Sequence, residues 1–274
     1  MFDLGVSLSP KKSEFAPLLF SGDLYTGMQR VKDLGYCGVE LSLLDSPAIN
    51  QDDVLNKLET LGLEVYAIAT GQTYYQDGYS LYGPTAEKRQ KTIQRLKGHI
   101  DFATRLNSAV IIGGIRGKID AQGQALEDLK AEGTLALKTC VRYAEEKNVR
   151  LLLEPINRYE TNVINTLAEG ADLIREIGSQ HLKLIPDTFH MNIEERSFQK
   201  SIAEAGDLIG YIHFADSNRR SPGWGHIDFS KIVSALKKAH YTGPVGIEVL
   251  PEPDDYSAAE QAIAYLNSMR IQSG

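Results

Sequence analysis

Val149-Arg150-Leu151-Leu152-Leu153-Glu154 is a short apolar run closed by a carboxylate, and the chain repeats that construction three more times. Leu182 to Asp187, Ile209 to His213 and Val245 to Glu248 likewise read as buried strands, closed by Asp187, His213 and Glu248. Each run is followed by turn residues and then by a helical pattern. Packing does not account for ionisable groups that repeatedly close hydrophobic strands, because a charge at the mouth of a core costs free energy unless it is paired or bound to a metal. In a barrel of parallel strands such ends converge on one face, where barrel enzymes carry their chemistry.

The same unit extends outward in both directions. Asp3 to Leu8, Gly38 to Leu43, Glu64 to Ala69 and Ala109 to Gly113 supply four earlier strands. Amphipathic stretches alternate with the strands: Asp23 to Leu34, Asp52 to Leu61, Ala86 to Leu106, Gln124 to Asn148, Leu167 to Ile177, Gln199 to Ala205, Phe229 to Ala239 and Tyr256 to Arg270. Several open on Asp, Thr or Ser and close at a glycine, as in Leu34-Gly35, Leu61-Gly62 and Ile177-Gly178. Eight βα units in 274 residues predict an α/β fold, a (β/α)8 TIM barrel, over residues 1–274 as a single domain with no Pro-rich or Ser-rich linker. A doubly wound open sheet would carry a Gly-rich turn after its first strand, and here that turn reads Ser9-Pro10-Lys11-Lys12.

Composition narrows the partners. A formal net charge of -7 argues against a surface that neutralises phosphates, so no nucleic acid is expected. No run approaches the roughly 18 apolar residues of a membrane span, and Met1 to Leu8 does not read as an export signal, so a cytoplasmic protein is expected. Cys37 and Cys140 are too few for a disulfide framework and read as small packed apolar groups.

Leu153-Glu154-Pro155-Ile156-Asn157-Arg158-Tyr159-Glu160-Thr161, Pro186-Asp187-Thr188-Phe189-His190-Met191-Asn192, His213-Phe214-Ala215-Asp216-Ser217-Asn218-Arg219 and Gly246-Ile247-Glu248 follow one another in the order found in a known family. With them the chain resembles the ketose 3-epimerases, the tagatose and psicose epimerases of the xylose-isomerase-like barrels. Gly22-Asp23, the Thr70-Gly71-Gln72 turn and Tyr159-Glu160-Thr161 resemble more narrowly a branch that epimerises keto-gluconates in inositol catabolism.

Three carboxylates and one imidazole make an oxygen-rich donor set suited to one divalent cation, Mn²⁺ first and Mg²⁺ or Co²⁺ as substitutes. A structural zinc favours thiolates and more imidazoles. Glu154, Asp187, His213 and Glu248 are therefore the expected metal ligands. A cation on the C2 carbonyl and C3 hydroxyl of a ketose eases removal of the C3 proton and stabilises the enediolate. Epimerisation returns that proton to the opposite face, which calls for two bases, and the resemblance assigns Glu154 and Glu248 to that work. It also implies that Glu160, His190 and Arg219 hold the sugar near C1 to C3, and that the protein is a homo-oligomer.

Other residues have plainer readings. Arg116, after Gly113-Gly114, is a candidate for a substrate carboxylate, and Tyr74, Tyr75, Tyr79 and Tyr82 for covering the apolar face of a sugar, forming a subunit interface or packing a surface loop. Glu40 suits a structural role or one outside the metal shell, and His226 the entry to a helix. His99, His181 and His240 read as surface residues, and Glu252, Asp254 and Asp255 as solvated acids that disfavour a phosphate. A free ketose or keto sugar acid is the expected substrate. Aldose–ketose isomerisation is the nearest alternative, since it uses the same enediolate. An apurinic endonuclease shares the barrel but needs histidines at the third and fourth strand ends, which here read Ala69-Thr70-Gly71 and Ile112-Gly113-Gly114.

Overall fold

The computed structural model describes residues 2–12, 17–121 and 125–271. Its strands are β1 (Leu4–Leu8), β2 (Gly38–Ser42), β3 (Glu64–Ala69), β4 (Ala109–Ile112), β5 (Leu151–Leu153), β6 (Leu182–Leu184), β7 (Ile212–Phe214) and β8 (Val245–Ile247). All pairings are parallel, in the order β6-β5-β4-β3-β2-β1-β8-β7. Parallel bridges Leu184↔Ile209 and Asp187↔His213 join the two ends of that order, with Gly210 N donating to Leu184 O at 2.8 Å and His213 N to Pro186 O at 2.9 Å. The curled sheet is thereby sewn into the expected barrel.

The helices are α1 (Leu24–Asp33), α2 (Gln51–Leu61), α3 (Gly71–Asp77), α4 (Ala86–Leu106), α5 (Leu126–Glu146), α6 (Leu167–Ile177), α7 (Thr188–Glu194), α8 (Phe198–Ala205), α9 (Phe229–Lys238) and α10 (Asp255–Ile271). Gln124, where the sequence pattern starts the fifth of these, lies outside the described residues. Capping sets the boundaries. Asp23, Thr85, Thr166 and Asp228 accept first-turn amides, and left-handed Gly62 and Gly178 end α2 and α6 at φ 59° and 74°.

Two short helices were not expected. Thr70-Gly71-Gln72 is the start of α3 rather than a free turn, and Thr188 to Glu194 forms α7 directly behind Asp187. Each has only seven residues, too few for a clear apolar stripe. The later strands are shorter than the runs read from sequence: β6 ends before Asp187, and β7 starts only at Ile212 and carries His213 within it.

Alternation along the strands sorts the core into two layers. Ile68, Val110, Ile112, Leu151, Leu153, Leu184, Ile212, Phe214, Val245 and Ile247 pack outward against the helices. Ala67, Ala69, Ile111, Leu152, Ile185 and Tyr211 form a separate plug inside the barrel. Successive residues of a strand face opposite sides, so whatever shares parity with the plug also faces inward. Glu154 follows Leu152 by two, Asp187 follows Ile185 by two, and His213 follows Tyr211 by two. A slip of one residue would put all three charges into the helix layer.

Several side chains depart from the expected placement. His99 is fully buried in α4, its Nδ1 2.6 Å from Ser46 Oγ. It belongs to the apolar stripe with Leu96, Ile100 and Ala103, a spacing that the surface reading overlooked. Cys37 is exposed while Cys140 is buried, so only the second packs as an apolar group. Tyr82 is a core residue lying where any Cβ on Gly133 of α5 would collide with it. Asp255 is more than a solvated acid, since its Oδ1 accepts from Phe20 N at 2.7 Å.

Candidate metal centre

Glu154, Asp187, His213 and Glu248 are all buried, and each offers one ligand atom within 4.8 Å of the other three. His213 Nδ1 stands 3.3 Å from Glu154 Oε1, 3.8 Å from Asp187 Oδ2 and 3.9 Å from Glu248 Oε2. The quartet read from the strand ends is therefore one cluster at the mouth of the barrel. Asp187 does two jobs at once. Its Oδ1 caps α7, accepting from Phe189 N at 2.7 Å and His190 N at 3.3 Å. Among the described residues nothing hydrogen-bonds its buried Oδ2, which faces the cluster.

Electrostatics explain what such a cluster asks for. Burial raises the pKa of Glu248, and the neighbouring Glu154 raises it further against the opposing pull of His213 and Arg219. Asp187 moves up for the same reasons, burial first and then Glu154. Burial alone would lower His213, but Glu40, Glu248 and Glu154 around it hold the imidazole well above its usual range. Three carboxylates this close cannot all be anionic in a dry site without positive charge between them, whether protons or a cation. An unsatisfied buried carboxylate oxygen and a donor set of three oxygens and one imidazole nitrogen fit a divalent metal site.

One backbone feature makes room for it. Gly113, just after β4, lies against Glu154, and a Cβ there would collide with Glu154 Oε2. The following Gly114 gives similar clearance to Tyr75, whose Cε2 would stand 2.9 Å from an added Cβ.

A narrow cleft opens over the cluster. Its lining includes the polar Glu154, Glu160, His190, His213, Arg219 and Glu248, together with Ala69, Gly71, Ile111, Gly113, Gly114 and Tyr75. Arg219 Nη1 donates to Glu160 Oε1 at 3.1 Å and Nη2 to Glu248 Oε2 at 3.3 Å, while its guanidinium lies 4.8 Å over the Phe189 ring. Arg219 itself sits in the left-handed region at φ 61°. Burial, helped by the positive charge of Arg219, keeps His190 neutral. Its Nδ1 is 2.8 Å from Asn157 Nδ2, which also donates to Glu160 Oε1 at 2.9 Å. An amide N–H next to Nδ1 makes that nitrogen the acceptor and leaves the proton on Nε2.

Asn157 thus orients two side chains of the cleft, a role the sequence reading missed although the residue lies in the quoted motif. Its position three before Glu160 was the available signal.

Arg116 does not fit its expected role. It is fully buried and spends its guanidinium on the backbone carbonyls of Gly113, Glu154, Val163 and Ile164, so it braces the loop behind Glu154 instead of facing a ligand. Of the four tyrosines, Tyr75 reaches the cleft. His226 is exposed and pins the loop before α9 through Ser217 Oγ, 2.9 Å from its Nδ1.

Comparison with known proteins agrees with this fold. Residues 28–269 match the family described as Xylose isomerase-like TIM barrel. The chain is 31% identical over 247 residues to an L-ribulose 3-epimerase of Methylomonas sp. (strain DH-1), covering 87% of this chain and 85% of that protein. It is 41% identical over 118 residues to a D-psicose 3-epimerase of Agrobacterium fabrum, 43% of this chain and 41% of that one. Its fold superposes with a TM-score of 0.82 on the crystal structure of D-allulose 3-epimerase from Methylomonas sp. in complex with D-allulose, at 24% identity over 98% of both chains.

Proposed function

Because the chain belongs to the xylose isomerase-like TIM barrel family, we propose that it is a divalent-metal-dependent epimerase that inverts C3 of a free ketose or keto sugar acid. The observation that carries this reading is the buried cluster of four donor atoms within 4.8 Å of one another at the mouth of the barrel. Glu154, Asp187, His213 and Glu248 would hold the cation, for which Mn²⁺ is the first choice. Once bound, the ion supplies Lewis acidity that makes the hydrogen on the carbon beside the ketone acidic.

The remaining work falls to the chain's own groups. Glu154 follows β5 and Glu248 follows β8, so the two carboxylates reach the cleft from separate parts of the rim and would flank a bound sugar. One takes the C3 proton from one face, and the other delivers a proton to the opposite face. Burial raises the proton affinity of Glu248 while a nearby cation lowers it, and the two influences together suit a group that exchanges protons near neutral pH. Arg219 and Glu160 would bind neighbouring sugar oxygens as donor and acceptor. His190, with its proton on Nε2, adds a donor fixed by Asn157. The glycines, Ala69, Ile111 and Tyr75 that also line the cleft would meet the far end of the substrate.

The same reading treats the chain as one barrel domain, a homo-oligomer in the cytoplasm; light scattering checks the assembly. No helix among the described residues is long and apolar enough to cross a membrane. Incubating Mn²⁺-loaded protein in D₂O with a panel of ketoses and ketogluconates tests the chemistry. Deuterium at C3 with inverted configuration is expected. Deuterium at C1 would make the enzyme an aldose–ketose isomerase, and no exchange with any substrate would defeat the proposal.

A further inference from the structure

A fifth carboxylate lies against the cluster without joining it. Glu40 is completely buried on β2, with its Oε2 2.7 Å from His213 Nε2, on the side of the ring away from Glu154, Asp187 and Glu248. Its other oxygen accepts a hydrogen bond from Ser7 Oγ at 2.7 Å. Strand register produces the arrangement. Ser7 and Glu40 are direct partners in the β1–β2 pairing, and both have the parity that faces into the barrel, since Val6, Leu8, Val39 and Leu41 pack outward.

We propose that Glu40, oriented by Ser7, is a positioning residue that fixes the His213 tautomer and thereby sets the affinity of the centre for its cation. The inference rests on the metal reading of the cluster. A neutral imidazole carries one N–H, and whichever nitrogen carries it cannot ligate. The carboxylate on Nε2 holds the proton there, and the Nδ1 lone pair then points at the three acidic ligand atoms 3.3 to 3.9 Å away. An anionic acceptor also makes the imidazole a stronger donor, and losing such a partner typically weakens metal binding about 10- to 100-fold. Structural need is a poor explanation for Glu40. Burying a carboxylate at this depth is costly unless its partners compensate, and an apolar residue of similar size would fill the space without that penalty.

Three variants separate positioning from a long-range charge effect. Glu40→Leu removes both hydrogen bond and charge. Glu40→Gln removes the charge but can still accept from Nε2–H while its amide faces Ser7. Ser7→Ala keeps the charge and loosens its orientation. Mn²⁺ affinity by calorimetry is expected to fall about 100-fold, about 10-fold and a few-fold in that order. Nitrogen NMR of labelled histidine in the metal-free protein, at a pH alkaline enough to leave the imidazole neutral, is expected to show the His213 proton on Nε2 in the wild type and shared between the two nitrogen positions in Glu40→Leu. Equal losses in the two Glu40 variants with none in Ser7→Ala, or an unchanged tautomer in Glu40→Leu, would overturn the proposal. If the wild type itself bound no divalent cation, the metal reading would fail first and this inference with it.

Discussion

Gly113→Ala should cripple cation binding without a direct change to any ligand. A Cβ at position 113 would collide with Glu154 Oε2 and stand 3.4 Å from its Cδ and 3.5 Å from Ile111 Cγ2. The backbone of Glu154 cannot retreat, because its N–H is bonded to Ile112 O at 3.2 Å and its carbonyl is held by Arg116. The side chain must therefore swing, taking one of the four donors out of the cluster. A charge-assisted contact is worth about 1.5 to 3 kcal/mol, which corresponds to roughly a 10- to 150-fold loss of cation affinity. Calorimetric titration with Mn²⁺ measures it, and circular dichroism melts check that the barrel still folds. A folded variant that binds Mn²⁺ within about twofold of wild type would refute this account of why a glycine stands at 113.

Further expectations follow from the same geometry. Burial pushes Glu248 up to about 8 and Asp187 up to about 6, so the native metal-free protein binds more protons than the unfolded chain across that window. By linkage its stability is fully present near pH 4 and is lost as pH rises toward 8, and the raised His213 acts in the same direction. The melting temperature of metal-free protein should thus fall over this window, the stabilisation by added Mn²⁺ should grow, and calorimetry in two buffers should detect protons released on binding. At a cation concentration near 100 times the dissociation constant the stabilisation should be about 2.7 kcal/mol, and stripping the metal should remove it. Glu154→Gln or Glu248→Gln should lower turnover by at least about 10²-fold and abolish C3 exchange in D₂O while the fold persists; full activity in either variant would exclude the two-base assignment. Arg116→Met should cost about 3 kcal/mol or more in urea unfolding, because it strips several buried carbonyls of their donor, and should leave the preference between neutral and carboxylated ketoses unchanged.

How much of this was legible in the sequence follows from which interactions are local. Strands closed by Glu154, Asp187, His213 and Glu248 were visible because period-two alternation carries each ligand inward with Leu152, Ile185, Tyr211 and Gly246. Helix ends were visible through caps such as Thr166 and Gly178. The fate of Arg116 was not, because its acceptors Val163 and Ile164 lie on another loop, and only the closed barrel brings them to the guanidinium. His99 was misjudged by its type, since on α4 its spacing from Leu96 and Ala103 outweighs its polarity. Helix α7 escaped because its start is set by Asp187, a residue already read as a ligand, and its seven residues are too few for a helical period to emerge. The Ser7–Glu40–His213 chain joins three strands and depends on register, which no single stretch of sequence records.

Anomalous diffraction from crystals grown with Mn²⁺ tests the central claim most directly. The account predicts one strong peak at the mouth of the barrel, about 2 Å from His213 Nδ1 and from a carboxylate oxygen of each of Glu154, Asp187 and Glu248. A peak elsewhere, or none at a concentration that sustains catalysis, would contradict it.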